Sequence, residues 1–206
     1  LGAGGAYVFL HPELINQHGE KLHRKISDRF EFLSGGDSLP FLFFNCISGH
    51  SMLFRRSLLA DVFPIPQAGS YDHWIAYIAV KKGSIGFIKE PLVLHRRHGT
   101  NSSGKSGKKK RQQSRFQSAK ERILNENRWI EACSRAFPEE ENRLLSEFAH
   151  LVKKRESNYI SPLLSWKMWK NRKRVFALLP QKTLKHLTIS LRYFWGLKFK
   201  KLLYGE

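Results

Sequence analysis

Apolar positions follow two different rhythms along the chain. In the first half they come in short runs cut by Gly and Pro. Residues 6–10 (AYVFL) predict a buried strand that Pro12 ends, and 16–19 (NQHG) predict a turn. Residues 20–38 are polar and irregular, with Gly35-Gly36 as punctuation, and 39–47 form an apolar, aromatic run. Residues 49–54 (GHSMLF) predict a strand, and 56–63 a short helix stopped by Pro64 and Pro66. A helix is predicted over 72–82 (DHWIAYIAVKK), opened by Asp72 and ended by Gly83. Short strands at 84–88 and 92–95 flank Pro91. Mixed strands and helices with short connections predict an α/β arrangement.

In the second half the rhythm becomes helical. Phe116, Ile123, Ile130 and Phe137 recur every seven residues, with Ala119 and Cys133 between them, which makes one apolar stripe on a helix. Pro138 is expected to open the next helix, with Leu144, Leu145, Phe148, Leu151 and Val152 on its buried face and Lys153, Lys154 and Arg155 at its end. Ser161-Pro162 caps a third, which holds Trp166 and Trp169, and one last helix is predicted over 181–204. The two rhythms meet at a Gly/Ser-rich stretch, 99–107, followed by a basic run, 108–111. This divides the chain into 1–104, a linker 105–115 and a helical appendage 116–206.

Charge sharpens the division. Residues 1–100 hold 11 Lys/Arg and 8 Asp/Glu, whereas 101–206 hold 25 and 9, so nearly all of the +19 net charge belongs to the second half. That asymmetry predicts a polyanionic partner there, either nucleic acid or an acidic membrane surface. A hydrophobic share of 41% and a charged share of 26% exclude wholesale disorder. No apolar run approaches the length of a membrane span. Two cysteines, far apart and without a CxxC spacing, argue against a zinc site and fit a reducing compartment. The opening LGAGGAYVF, without an initiator Met, predicts a chain that lacks its natural N-terminus.

Residues 99–106 (GTNSSGKS) match the GxxxxGK[ST] pattern of a phosphate-cradling loop. The context argues against that function. Gly107 and a basic run follow instead of a helix, and no Asp lies after Asp72 to hold a magnesium ion.

A distributed signal runs from Asn45 to Gly104: a small-residue turn leading to MLF, the Leu58-Leu59 pair, Pro64 and Pro66, the box Tyr71-Asp72-His73-Trp74, and GSIGFIKEPLVLHRRHGTN over 83–101. In order and spacing this resembles the C-terminal half of family 2 glycosyltransferases, in particular the bacterial rhamnosyltransferase-like group, and residues 6–19 look like the strand and Gly turn that follow its metal motif. The resemblance implies a partial GT-A fold, an α/β Rossmann-like architecture, followed by the basic α-helical region. It implies inverting transfer of a sugar such as rhamnose from a nucleotide-sugar donor to a glycan or lipid-linked acceptor of the bacterial envelope. The Asp-x-Asp that binds the divalent metal (Mg2+ or Mn2+) would lie upstream of Leu1, since the only aspartates are Asp28, Asp37, Asp61 and Asp72.

The resemblance places Asp72 at the catalytic-base position, where a carboxylate takes the acceptor hydroxyl's proton. Read from the residues alone, the same Asp is also a natural N-cap. Gly49, His50, His73 and Trp74 are implied on the acceptor side, with Gly49 and His50 alternatively a plain strand-start turn and Trp74 either stacking on a sugar or lying in the core. Arg96 and Arg97 are implied as contacts to the donor diphosphate, and His98 as a metal ligand; a solvated basic loop is the alternative for all three.

In the tail, Trp166, Trp169 and Trp195 and the leucines 184, 187, 191 and 202 alternate with Lys and Arg. Helices that lie on anionic membranes have this composition, and so do helices that pack on a catalytic domain with solvated lysines. A peripheral, cytoplasmic position at the inner face of the membrane follows from the first reading. Nucleic acid is not expected as a partner, because no RNP, zinc-finger or helix-turn-helix pattern occurs. The rival class for the whole chain is a non-enzymatic basic module that binds nucleic acid or anionic membrane.

Overall fold

The computed structural model describes residues 5–25, 30–31, 34–98, 114–137 and 143–204. The phosphate-loop-like stretch 99–106 and most of the expected linker lie outside the described residues. The chain is α/β and divides into two compact units, Leu1–Gly107 with Ala177–Pro180, and Lys108–Phe176 with Gln181–Glu206.

The first unit is built around strand β1 (Gly5–Ile15). Strand β4 (Ser84–Arg96) runs parallel to it along its length, while β2 (Lys21–Lys25) and β3 (Met52–Phe54) pair with it antiparallel. Neither Pro12 nor Pro91 ends its strand, contrary to expectation. The register passes from Leu10↔Ile88 to Pro12↔Val93, so β4 takes up extra residues around Pro91 at the irregularity beside Pro12. Both prolines thus sit where ladder hydrogen bonds are already interrupted, which is where a missing N–H costs least. The predicted turn at 16–19 is present: the Asn16 side-chain oxygen accepts from the backbone N–H of His18 (2.9 Å) and Glu20 (3.0 Å), and Gly19 takes a φ of 91°. The stretch after it, expected to be irregular, continues as β2 and completes a hairpin.

Helix α1 (Leu59–Val62) and helix α2 (Tyr71–Lys82) follow β3. Residues Trp74 to Val80 of α2 are all buried, so this helix is apolar on every side and packs against β1 and β4. The Trp74 indole N–H donates to the Val62 carbonyl at 2.8 Å and ties α2 to α1. The apolar run at 39–47 is not one regular element. It begins as a 3-10 turn at Leu39–Leu42, all of it buried, and continues as irregular chain.

The second unit is helical: α3 (Arg115–Ala136), α4 (Arg143–Lys154), α5 (Pro162–Lys170), α6 (Arg172–Val175), α7 (Thr183–Arg192) and α8 (Leu197–Tyr204). The predicted stripe is the buried face of α3, with Phe116, Ala119, Ile123, Ile130 and Cys133 in the core. Ser114 caps that helix by accepting from the Gln117 N–H at 3.1 Å. On α4, Leu145, Phe148 and Val152 are buried and Leu144 and Leu151 half-buried; the expected start at Pro138 lies outside the described residues. The single helix expected over 181–204 is two, separated at Gly196. A Cβ there would lie 1.9 Å from the Asn158 carbonyl oxygen, so two backbones touch at this point and only Gly fits.

Candidate active site

Asp72 is the second residue of α2, and Ser70, not Asp72, stands at the N-cap position. The carboxylate is half-buried. Its Oδ1 accepts three hydrogen bonds: from Asn45 Nδ2 at 3.1 Å, from the His73 backbone N–H at 2.7 Å, and from the Ser70 hydroxyl. Oδ2 has no hydrogen-bond partner among the described residues. One oxygen is therefore anchored at the positive end of the helix dipole while the other stays open. A carboxylate held this way can take a proton from a bound hydroxyl without giving up its anchorage.

The loop before β3 supplies the facing wall. Asn45 turns back on itself, its Oδ1 accepting from the Ile47 N–H at 2.9 Å, which aims its amide nitrogen at Asp72. Gly49 opens a 3-10 turn, Gly49–Ser51, and leaves room for Tyr71: a Cβ at Gly49 would lie 1.9 Å from the Tyr71 hydroxyl oxygen. His50 follows, hydrogen-bonded through Nδ1 to the Ser48 hydroxyl at 2.9 Å and stacked on His95, with ring centroids 4.6 Å apart and planes 26° from parallel. Burial lowers the pKa of His95, and the nearby charges of His50, Arg97 and His98 lower it further. The end of β4 thus gathers His95, Arg97 and His98 near His50.

The other candidates lie elsewhere. Trp74 is only 5% exposed and its N–H is bound to Val62, so the ring is a core group and presents no face to a sugar. His73 points toward the 39–42 turn, its Nε2 2.5 Å from the Phe41 carbonyl oxygen. Burial pushes its pKa down to about 4, against the weaker upward pull of Phe41 and Asp72, so at neutral pH the ring is uncharged and its Nε2–H donates to Phe41. Arg96 caps the turn beyond β1, donating to the carbonyls of Gln17 at 2.8 Å and Asn16 at 3.3 Å. Arg96 follows His95 in β4, so alternation turns it to the opposite face of the strand.

Among the described residues no group of three or more His, Cys, Asp or Glu side chains is placed to hold a metal ion, so His98 as a ligand would need partners from outside them.

Reading the sequence missed Asn45, Ser70 and His95 as parts of this constellation. Ser70 carries a signal, since a Ser just before a helical run is a common N-cap. Asn45 and His95 carry none, because only the fold brings them to Asp72 and His50. A separate cleft of about 530 Å3 lies in the second unit, between α3 and α4, lined among others by Leu124, Asn127, Arg128, His150 and Lys153; none of the predicted site residues borders it.

No protein-family model, no curated protein and no solved structure matches the chain.

Proposed function

We propose that this chain is the acceptor-side part of an inverting GT-A glycosyltransferase, with Asp72 as the general base. The observation that carries the reading is the asymmetry of the Asp72 carboxylate, Oδ1 fixed by three donors and Oδ2 open. In an inverting transfer the acceptor hydroxyl attacks the anomeric carbon, its proton passes to the base, and the nucleoside diphosphate leaves from the opposite face. Oδ2 takes that proton. The anchorage of Oδ1 fixes the carboxylate plane, so the acceptor meets a base already in position.

Asn45, Ser70 and the His73 amide are positioning groups in this reading, and Gly49 with Tyr71 shapes the acceptor wall. Charge grows on the leaving diphosphate as the bond to the sugar breaks, and cationic donors nearby stabilise it. Arg97 and His98, next to the His50–His95 stack, are the groups proposed for that task. Arg96 and His73 are assigned structural roles instead, since Arg96 Nη1 and His73 Nε2 are committed to backbone carbonyls. The donor is a nucleotide-activated sugar of the deoxyhexose class, such as rhamnose, and the acceptor a glycan of the bacterial envelope.

The test is direct. The full-length protein is incubated with labelled nucleotide sugars and lipid-linked glycan acceptors, and the product's anomeric configuration is read by NMR. Transfer with inversion supports the proposal. Transfer with retention, or no transfer from any donor by folded protein, overturns it.

A further inference from the structure

Helix α7 is inside out. Its buried positions are His186, Ile189 and Ser190, two of them polar, while Leu184, Leu187 and Leu191 form an exposed stripe at helical spacing, Leu184 being 73% exposed. A helix packed only for the stability of its own unit places its leucines inward. The exposed stripe has neighbours of the same kind. Trp195 lies one turn beyond Leu191 and pairs through its backbone with Ile160, which leads into α5, where Leu163 and Trp166 are also about half exposed. Monomeric proteins seldom leave an apolar patch this extended without using it.

The charge around the patch is of one sign. Residues 157–205 contain 11 Lys/Arg and no Asp or Glu. Lys182, Lys185 and Arg192 flank the α7 stripe and are exposed, as are Lys198 and Lys201 on α8. The Lys170 ammonium lies over the Trp166 ring, 4.8 Å from its centre.

We propose that this face of the second unit docks on an anionic lipid bilayer, with Leu184, Leu187 and Leu191 entering the boundary between headgroups and acyl chains and the lysines meeting the headgroup phosphates. A bilayer surface is the one common partner that offers both anionic charge and an apolar layer beneath it, and a helix with this composition lies in that plane. Nucleic acid would satisfy the cations but has no place for three leucines, since bases stack on aromatic rings and not on aliphatic side chains. No helix among the described residues is long and apolar enough to cross a membrane, so the contact is with its surface. This inference is independent of the sugar-transfer reading, and neither falls with the other.

The experiment is co-sedimentation of the full chain with vesicles of phosphatidylcholine and phosphatidylglycerol in equal parts, beside vesicles of phosphatidylcholine alone. The mixed vesicles are expected to bind at least about tenfold more tightly, and added salt to weaken the binding, because each surface cation contributes separately and is screened. Replacing Leu184, Leu187 and Leu191 together by Gln leaves the charge unchanged and is expected to lower binding by at least about tenfold, since their apolar area no longer enters the bilayer. These side chains are exposed, so the variant is expected to melt with the wild type, and a circular dichroism melt verifies it. Equal vesicle binding by that folded variant overturns the proposal. So does a folded chain that ignores both kinds of vesicle, or one that an oligonucleotide strips from mixed vesicles at physiological salt.

Discussion

Arg155 Nη1 lies 3.0 Å from Glu126 Oε2 inside the second unit, and the arginine side chain is only 2% exposed. The same guanidinium donates through Nε to the Trp195 carbonyl at 3.1 Å and through Nη2 to the Arg192 carbonyl at 3.3 Å, and it lies 4.8 Å from the centre of the Tyr193 ring. Tyr193 in turn donates its hydroxyl to Glu126 Oε1. One buried ion pair therefore joins α3, the end of α4 and the connection from α7 to α8. Burial raises the Glu126 pKa despite the pull of Arg155, and lowers that of Arg155 despite the pull of Glu126.

Breaking that pair from one side leaves a buried charge uncompensated. Arg155→Met is expected to destabilise the second unit by about 3–5 kcal/mol in urea denaturation. Adding Glu126→Met to it is expected to recover a large part of the loss, because the double variant buries no ion. A double variant less stable than Arg155→Met would show that the carboxylate supports the fold by some other route.

Asp72→Asn separates the base from the scaffold. An amide oxygen still accepts from Asn45, Ser70 and the His73 N–H, so the melting temperature is expected to hold. Transfer by the full-length protein is expected to fall by about 10²–10⁴-fold. Full turnover by the folded variant would reduce Asp72 to a helix-start residue.

His73 makes the first unit sensitive to acid. Its folded pKa is about 4 against an ordinary value of 6.5, so the folded state resists the proton that the unfolded chain accepts. The associated stability is fully present above pH 6.5 and drains away as the pH falls toward 4, about 3 kcal/mol in all. His73→Gln keeps a donor for Phe41 and is expected to flatten this part of the pH–stability profile. An unchanged slope in the variant would place the sensitivity on another group.

Gly196→Ala tests the break between α7 and α8. The new methyl would meet the backbone oxygen of Asn158 at 1.9 Å and its carbonyl carbon at 2.7 Å, and neither can swing aside as a side chain would. A loss of about 2 kcal/mol or more is expected by denaturant unfolding, at the upper end of ordinary overpacking. Gly49→Ala is the contrast, because there the obstacle is the far end of Tyr71, a side chain 54% exposed and free to move, and the cost is expected to stay below about 1 kcal/mol.

The helices were the most legible part of the sequence, because periodicity reports burial directly: the α3 stripe and the apolar run of α2 both fold as their patterns predict. The strands were less legible because Pro12 and Pro91 read as breaks one at a time, and only their coincidence at one register shift makes both tolerable. The break at Gly196 escaped notice for a similar reason, since a helical pattern says nothing about a neighbouring backbone. At the candidate site, the position of Asp72 at a helix start could be read from the chain. The inward turn of Trp74 could not, because every side of α2 is apolar and the pattern does not say which ring meets Val62.

The segment Ala177–Pro180 belongs to the first unit although most of the second precedes it in the chain. Within that unit the Leu178 carbonyl accepts from the Glu31 N–H at 3.0 Å, and Leu178 and Leu179 are buried. On the ribosome, therefore, the first unit stays unfinished long after its own strands have emerged. Its sheet must first wait for β4 to return to β1, a closure across most of the unit that is slow by nature. It then waits again while local helices form and pack in the intervening stretch. A cut in the basic connection between the halves would not release two self-sufficient pieces, because the N-terminal one would lack the two buried leucines and the Leu178 carbonyl that meets the Glu31 N–H.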